Sequence, residues 1–339
     1  MIDHGLDLAV VGNCRTAALV DPTARLVWWC FPRFDSDPVF SRLLAGHEEK
    51  GFSDVVLDGM VDFQSDYVRN TAIVSTVLTD GRGNAVRVTD FAPRFRQYGR
   101  IFRPPQLFRI IEPVAGLPRI TIRIRPTHTY GKPLKRHSMG SNHIRYVEGD
   151  DTAIRVTTDA PLALIENETP FVLTRPMHLV FGNDEAFPGD LASTAQRFAE
   201  ETKTYWLGWV RRLYISYEWQ EAIIRAAITL KLSNFEETGG IIAAHTTSIP
   251  EAPGSGRTWD YRYCWLRDAY FVVKALNRVG ATRTMEDFIG FTLSIASNPD
   301  EDLKPVYSVA RALPLDEWTA ADLQGYRGDG PVRVGNAAV

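Results

Sequence analysis

The stretch RITIRIR at residues 119–125 sets the fold class of the first half of the chain. Its isoleucines, Ile120, Ile122 and Ile124, fall on one face of an extended segment, because successive side chains of a strand point to opposite faces. A period of two continues from about residue 8 to residue 182. The pattern therefore predicts strands throughout this region.

Turn residues divide the region into short strands. The run 71–91, TAIVSTVLTDGRGNAVRVTDF, predicts a hairpin whose loop is 80–84, since its glycines allow positive φ angles. Further strands are predicted at 106–112, 143–148, 152–158 and 171–181. Because no helical period separates them, we expect an N-terminal antiparallel β-sandwich domain spanning 1–190.

Helical spacing replaces the period of two near residue 190. Ser193 and Gln196 have the spacing of a capping box, and a linker helix is predicted over 191–214. Stacked helical hairpins are predicted over 215–339. The apolar stripe predicted for the first of these helices consists of Trp219, Ala222, Ile223, Ala226, Ala227 and Leu230.

Two more helices are predicted toward the C-terminus. One runs from about Leu266 to Val279 and is stopped by Gly280. The next begins at Thr284 with Asp287 in the capping-box position and extends toward Asn298-Pro299. Its predicted apolar side is formed by Phe288, Ile289, Thr292, Leu293 and Ala296.

Composition limits the class of partner. Apolar residues make up 45% and charged residues 23% of the 339 residues, as in a folded soluble protein, and this length favours two domains. The 38 basic and 41 acidic residues give a net charge of -3, which argues against a nucleic-acid binder and favours a neutral partner. The composition leaves open whether the protein forms an oligomer.

The termini and cysteines bear on location. The N-terminus has Asp3 and Asp7 where a signal peptide needs a basic start and an apolar run, and no stretch is long enough to span a bilayer. Cys14, Cys30 and Cys264 lie far apart with no CxxC pair, so we expect reduced core cysteines and no metal or cofactor. Together these features predict a cytoplasmic protein without membrane contact.

The segment 257–270, RTWDYRYCWLRDAY, combines flat rings with fixed charges. A sugar needs both, because its C–H faces pack on aromatic rings while its hydroxyls need hydrogen-bond partners once water is excluded. Arg267 could donate to such hydroxyls and Asp268 could accept from them. The alternative is that Trp259 and Trp265 are core aromatics and that Arg267 and Asp268 form a structural salt bridge. Composition does not separate the two.

A family resemblance favours the sugar interpretation. The stretch GRTWDYRYCWLRDA at 256–269 resembles the signature of glycoside hydrolase family 15, the glucoamylase-type enzymes and their bacterial trehalase relatives. Similar segments follow the family order along the chain: GNCRTAALV at 12–20, WWCFPRFDS at 28–36, VTDFAP at 88–93, AAHTTSIPE at 243–251 and GYRGDGPVRVGNAA at 325–338.

The resemblance implies a fold and a site. It implies an N-terminal β-sandwich followed by the first part of an α/α barrel of six helical hairpins, with the active site at the barrel mouth. The matching positions Tyr261, Trp265, Arg267 and Asp268 would hold the terminal glucose, the rings as walls and the charged pair as hydroxyl grips. A sandwich loop with Arg33, Phe34 and Asp35 either folds over this mouth or is a turn held by its own Arg–Asp pair.

The resemblance also implies an inverting hydrolase, in which one carboxylic acid protonates the leaving oxygen and a second carboxylate activates water. By the family pattern both would follow the GNAA segment, whereas this chain ends at Val339, so no catalytic residue is predicted within it and the barrel is expected to be incomplete. An incomplete barrel would expose apolar helix faces. The remaining carboxylates considered are weak substitutes: Glu251, Glu286, Asp287 and Glu317.

Three hypotheses follow. The first is an α-glucosidic hydrolase that releases glucose from non-reducing ends of maltooligosaccharide or starch, or a trehalase of the same family. The second is a truncated carbohydrate-binding protein without catalysis. The third is a structural helical protein without a ligand.

Overall fold

The computed structural model describes residues 5–148, 151–187, 189–297, 303–310 and 315–337, with the backbone alone at 151–153. The first twelve strands are β1 (Ala9–Gly12), β2 (Ala17–Val20), β3 (Leu26–Cys30), β4 (Pro38–Phe40), β5 (Phe52–Leu57), β6 (Met60–Tyr67), β7 (Val74–Asp80), β8 (Ala85–Phe91), β9 (Phe95–Gln97), β10 (Arg100–Phe102), β11 (Leu107–Ala115) and β12 (Arg119–Arg125). A short 3-10 helix occupies Arg42–Leu44.

The remaining elements of the first half are β13 (Thr127–His128), β14 (Lys132–Pro133), β15 (His137–Met139), β16 (His143–Glu148), β17 (Asp151–Thr158), α1 (Leu162–Glu166), β18 (Phe171–Val172) and β19 (Met177–Gly182). The second half contains α2 (Leu191–Val210), α3 (Gln220–Leu232), β20 (Asn234–Phe235), β21 (Gly240–Ile241), β22 (Cys264–Trp265), α4 (Leu266–Arg278), α5 (Arg283–Ile295), β23 (Val306–Tyr307), β24 (Trp318–Thr319) and β25 (Arg333–Val334).

Two antiparallel sheets make up most of the first half. One has seven strands in the order β1-β2-β3-β5-β12-β18, with β4 beside β3, and the other has eight in the order β15-β16-β17-β19-β11-β8-β7-β6. Both sheets contribute to one core, which includes Val55 and Ile122 from the first and Ile111 and Leu179 from the second. The β-rich first half predicted from the period of two is thus confirmed.

The strongest local predictions hold. RITIRIR is strand β12, and its three isoleucines are buried. The run around the glycine-containing loop is the antiparallel hairpin β7–β8, with Val74 opposite Asp90 and Thr79 opposite Ala85. The strand predicted at 171–181 is instead two strands, β18 and β19, because the chain passes between them from the seven-stranded to the eight-stranded sheet.

Helix α2 begins where the helical period begins, but its cap differs from the predicted one. Asp190 is the N-cap residue, and its carboxylate accepts a hydrogen bond from the Ser193 backbone N–H at 2.8 Å. Ser193 therefore lies inside the helix instead of starting a capping box. Leu191, Ala195 and Phe198 pack in a cluster with Phe108 and Val180, so α2 covers the face of the eight-stranded sheet that is turned away from the shared core.

Helix α3 presents only part of the predicted stripe to the interior, namely Ala227 and, at the edge of the core cluster, Leu230. Its buried residues are Ile224, Ala227, Ile228, Lys231 and Leu232, whereas Ala222 and Ala226 are exposed. Trp219, expected within the stripe, is the N-cap residue with a left-handed φ of 60° and is 78% exposed. Apolar residues occur on more than one side of this segment, so spacing could not select the correct side.

The last two helices pack against each other. Helix α4 spans the predicted range, ending just before Gly280. Helix α5 starts one residue before the predicted Thr284, which is buried, and Asp287 pairs with Arg283 at 3.0 Å instead of capping the helix. The predicted end at Asn298-Pro299 lies outside the described residues.

Several large apolar side chains on this helix pair face solvent. Tyr270 and Phe271 of α4 are 53% and 61% exposed, and Ile289 and Leu293 of α5 are 47% and 66% exposed. Ile289 and Leu293 belong to the apolar side predicted for this helix, and the buried α5 residues are Thr284 and Phe291. Three helices, α3, α4 and α5, follow α2 in the described ranges. None of the helices described is long and apolar enough to cross a bilayer.

Candidate functional site

The motif 257–270 lies in an extended segment that runs into α4. The backbone N–H groups of Ala243 and Ala244 donate to the carbonyls of Tyr263 and Tyr261, at 3.0 and 2.8 Å. Strand β22 then pairs with β23. Trp265 is the N-cap residue of α4 in an extended conformation. The motif is therefore held on two sides before its helix begins.

Asp260 and Arg262 form a fully buried ion pair within this segment. Arg262 Nη2 donates to Asp260 Oδ2 at 2.6 Å, and both side chains are 0% exposed. Arg262 Nη1 donates to the Ser36 carbonyl at 2.8 Å, and Arg262 Nη2 also donates to the Tyr130 hydroxyl at 3.0 Å. The pair thus ties the motif to two loops of the first half.

Arg267 and Asp268 form a second pair, which faces solvent. Arg267 Nη2 lies 3.1 Å from Asp268 Oδ2, and the side chains are 71% and 38% exposed. Asp268 sits in the first turn of α4, where a negative charge is favoured by the helix dipole. The salt bridge of the alternative interpretation exists, but its exposure leaves hydrogen-bonding atoms of both residues accessible to a ligand.

The predicted aromatic walls are adjacent to this exposed pair. The Tyr261 and Trp265 ring centroids are 6.2 Å apart with planes inclined at 49°, and both residues are half-buried. The Arg267 guanidinium lies 5.9 Å from the Trp265 ring. The four predicted site residues are therefore brought together at one end of α4.

The sandwich loop with Arg33 and Asp35 reaches the same neighbourhood. Arg33 pairs with Asp35 at 3.0 Å, as expected for a turn held internally. Asp35 also accepts a hydrogen bond from the Ser308 hydroxyl at 2.8 Å, one residue after β23. Phe34 packs edge-on against His245, with 5.7 Å between centroids. The loop is thus held by its own Arg33–Asp35 pair and also contacts the second half through Ser308.

Sequence reasoning missed three parts of this arrangement: the buried Asp260–Arg262 pair, the Ser308 hydroxyl and His245. Burial lowers the pKa of His245 to about 4, so its ring is neutral at neutral pH. The spacing of Asp260 and Arg262 was an available signal, because residues two apart in an extended segment share a side.

The carboxylates considered as weak catalytic candidates all have ion-pair partners. Glu251 lies 2.6 Å from Arg257, and Glu317 lies 2.9 Å from Arg333. Glu286 and Asp287 both pair with Arg283. These contacts give each of the four a structural role. Within the described ranges no group of histidine, cysteine, aspartate and glutamate side chains is arranged to hold a metal ion.

Both halves of the chain match known protein families. Residues 219–339 match the family model for glycosyl hydrolases family 15, and residues 6–166 match that for a trehalase-like N-terminal region. The C-terminal part is thus similar to family 15 of the glycosyl hydrolases. The resemblance seen in the motifs is thereby confirmed.

Individual relatives point the same way. A trehalase of Thermoplasma volcanium is 30% identical over 97% of this chain and 53% of its own length. A trehalase of Thermoplasma acidophilum is 30% identical over 92% and 54%, and one of Mycobacterium tuberculosis is 27% identical over 98% and 53%. The chain spans about half the length of the relatives it matches. Its similarity to family 15 of the glycosyl hydrolases lies in 219–339, and 6–166 is similar to the N-terminal region of trehalase-like proteins.

Proposed function

We propose that this chain forms the glucose-holding part of a family 15 glycoside hydrolase whose substrate is trehalose. The observation that carries the proposal is the cluster of Tyr261, Trp265, Arg267 and Asp268 at the start of α4, within the region that matches the family. The similar proteins named above are trehalases, which favours trehalose over the maltooligosaccharides and starch of a glucoamylase-like enzyme.

The site chemistry fits a terminal glucose. The two inclined rings offer apolar faces to sugar C–H groups, and the exposed Arg267–Asp268 pair offers charged donors and acceptors to hydroxyls. Arg33 and Asp35 would border the same mouth, with Asp35 positioned by Ser308. Trehalose and the ends of maltooligosaccharides share this terminal glucose, so the four residues do not separate the two substrates.

Calorimetry combined with a glucose-release assay tests the proposal. Trehalose, maltotriose and glucose are titrated into the whole hydrolase of which this chain is proposed to form a part, and free glucose is then measured with each substrate. Release from trehalose supports the proposal, and release from maltotriose alone favours the glucoamylase-like activity. Glucose binding without release from either supports the carbohydrate-binding alternative. Absence of both binding and release contradicts the trehalase, glucoamylase-like and carbohydrate-binding functions and favours a structural protein without a ligand.

Where glucose is released, the stereochemistry provides a further check. Family 15 resemblance implies inversion, so hydrolysis of trehalose, whose two α-glucoses are joined through both anomeric carbons, should first release one α-glucose from the leaving half and one β-glucose from the half attacked by water. Proton NMR recorded in the first minutes distinguishes the two anomers. Initial products that are α-glucose alone, with no β-glucose, would contradict the inverting mechanism.

The finer fold and location are part of the same proposal. We infer a sandwich domain over 1–190, a linker helix over 191–214 and the start of an α/α barrel over 215–339. The exposed Tyr270, Phe271, Ile289 and Leu293 fit further barrel helices packing on α4 and α5. Cys14, Cys30 and Cys264 are buried and free, which fits the proposed cytoplasmic location.

A further inference from the structure

A cleft of about 840 Å³ lies at the far end of α4 from the candidate sugar site. It is bordered by the β9–β10 hairpin, the C-terminal end of α2, the segment that follows α3 and the start of α5. Helix α4 has 13 residues, a length of about 20 Å. The cleft is therefore separate from the cluster around Trp265.

Three cationic side chains in the cleft wall share one carboxylate. Arg94, Lys231 and Arg103 lie 2.7, 2.5 and 3.5 Å from the Glu236 carboxylate. The side chains of Arg94 and Lys231 are only 2% and 4% exposed. Charges held this far from water need compensation, and a single carboxylate neutralises only one of the three.

Two donors of these buried groups are also unused. Arg94 Nε and Arg103 Nη1 are inaccessible to solvent and have no hydrogen-bond partner in the part of the chain that the structure describes. Solvent does not reach either nitrogen, so a ligand in the cleft does not contact these two atoms directly. An anion in the cleft would supply negative charge that balances the guanidinium groups to which they belong.

The rim of the cleft adds further cations. Arg96, Arg100 and Arg212 are exposed, and no carboxylate of the described ranges is within ion-pair distance of them. Arg283 pairs with Asp287 at 3.0 Å and with Glu286 at 3.6 Å.

The adjoining groove carries acidic residues, but they have other partners. Arg96 and Arg212 also line that groove, beside Glu200 and Glu201. Glu201 pairs with Arg197 at 3.4 Å, and Glu200 pairs with Lys203 at 3.6 Å. The cleft itself is thus left with surplus positive charge, and the N-terminus of α5 adds its dipole to it.

The surplus is local, because the whole chain has a net charge of -3. Seven cationic side chains line the cleft, against Glu236, Asp287 and the adjoining Glu286, an excess of four positive charges. We propose that the cleft binds a polyphosphate, either as free inorganic polyphosphate or as the triphosphate of a nucleotide. This proposal does not depend on the proposed function of the sugar site.

Charge balance selects a phosphate chain over a single phosphate. One phosphate group carries roughly 1.5–2 negative charges at neutral pH, about half of the excess. A chain of two or three phosphates can neutralise most of it and is long enough to contact several of the rim arginines together. Planar guanidinium groups bind phosphate oxygens in pairs of hydrogen bonds, which suits a wall of arginines.

Calorimetric titration of the protein with inorganic tripolyphosphate, orthophosphate, ATP and adenosine tests this site. We expect tripolyphosphate to bind about tenfold or more tightly than orthophosphate. The rim variant R96Q/R100Q/R212Q should weaken tripolyphosphate binding by about tenfold or more. The matched control R82Q/R87Q/R211Q removes the same charge from exposed positions outside the cleft and should stay within about twofold of wild type.

Each outcome decides the proposal. Absence of tripolyphosphate binding, orthophosphate binding of equal strength, or equal weakening in the rim variant and the control would overturn it. ATP binding well above tripolyphosphate, with adenosine contributing, assigns the site to a nucleotide. Equal affinity for ATP and tripolyphosphate with no adenosine binding assigns it to the phosphate chain. Sugar binding at Asp268 is measured separately, so failure of one proposal leaves the other intact.

Discussion

Asp260 with Arg262 and Arg267 with Asp268 are the two aspartate–arginine pairs of the stretch 257–270. The first pair is buried and its arginine also binds Ser36 and Tyr130, whereas the second is exposed. A buried charge that loses its partner is strongly destabilising, while an exposed pair adds about 0–1 kcal/mol. Loss of an aspartate should therefore cost much stability in the first pair and little in the second, although the residue types are the same.

Asp260→Asn should destabilise the protein. It removes the charge that compensates the fully buried Arg262 guanidinium, and we expect a loss of about 3–5 kcal/mol in the free energy of unfolding. Urea unfolding followed by tryptophan fluorescence measures it. Asp268→Asn is the comparison within the motif and should cost less than about 1 kcal/mol. Equal losses of unfolding free energy in the two variants would show that burial does not make the Asp260–Arg262 pair more important for stability than the Arg267–Asp268 pair.

Asp268→Asn should instead weaken sugar binding. Replacing an ionised acceptor of sugar hydroxyls by an amide should raise the dissociation constant for glucose about ten- to a hundredfold, since charged hydrogen bonds contribute roughly 1.5–3 kcal/mol. Calorimetry provides the measurement. Asp62→Asn, at an exposed position of β6, makes the same chemical change elsewhere and should bind as wild type does. An unchanged affinity in Asp268→Asn would remove this residue from the site.

Residue types and order predicted which side chains of the motif meet, but not their burial. Tyr261, Trp265, Arg267 and Asp268 converge because the motif enters α4 directly. The environment of Asp260 depends on Ser36 and Tyr130, which are far away in sequence. Contacts of this kind are set by the packing of two halves and leave no local pattern.

At the scale of helices and strands, the features that depend on nearby residues could be predicted from the sequence. The hairpin β7–β8 follows from its alternation and its glycine loop, which act over a few residues. The buried side predicted for α3 was wrong at Trp219, Ala222 and Ala226. The side that is buried is chosen by Trp206, Leu276 and other partners in the same cluster, which lie elsewhere in the sequence. Asp190 was missed as the cap of α2 because Ser193, three residues later, fits the same rule.

Gly239→Ala tests how β20, β21 and α5 are joined. Gly239 has φ +89°, and an added Cβ would overlap the backbone carbonyl oxygen of Asp287 in α5. We expect a cost of about 1–2 kcal/mol for the backbone conformation and a further 1–3 kcal/mol for the clash. Gly83→Ala is the matched control, since Gly83 has φ +83° and no atom within 4 Å of its added Cβ.

Thermal and urea unfolding of the two glycine variants give the comparison. Gly83→Ala should show the conformational cost alone, at the tip of the β7–β8 loop. A loss in Gly239→Ala no larger than in Gly83→Ala would mean that α5 can move away from the β20–β21 turn without penalty.

At the scale of the whole molecule, a few buried polar contacts join the two halves. Arg94, just before β9, binds Glu236, which follows β20, at 2.7 Å. The Trp28 indole N–H donates to the His245 carbonyl at 2.8 Å. These contacts sit between apolar clusters that themselves contain residues of both halves, such as Cys14 with Trp206. The two halves should therefore unfold together.

Glu236 makes this coupling sensitive to acid. Burial by itself raises the pKa of its carboxyl, but Arg94 and Lys231 outweigh burial and hold the pKa at about 2, below its ordinary value of 4.5. The unfolded chain then binds more protons than the native protein between these values. The stabilisation is present above pH 4.5 and is lost as the pH falls toward 2.

We expect Glu236→Gln to be less stable than wild type at neutral pH, by on the order of 3 kcal/mol, and the difference to shrink as the pH falls from 4.5 toward 2. Urea unfolding at a series of pH values measures it, and groups common to both proteins, such as His245, cancel in the difference. Glu237→Gln is the control, because Glu237 pairs with Arg15 and is 39% exposed. A difference independent of pH would show that Glu236 joins the halves by shape and not by charge.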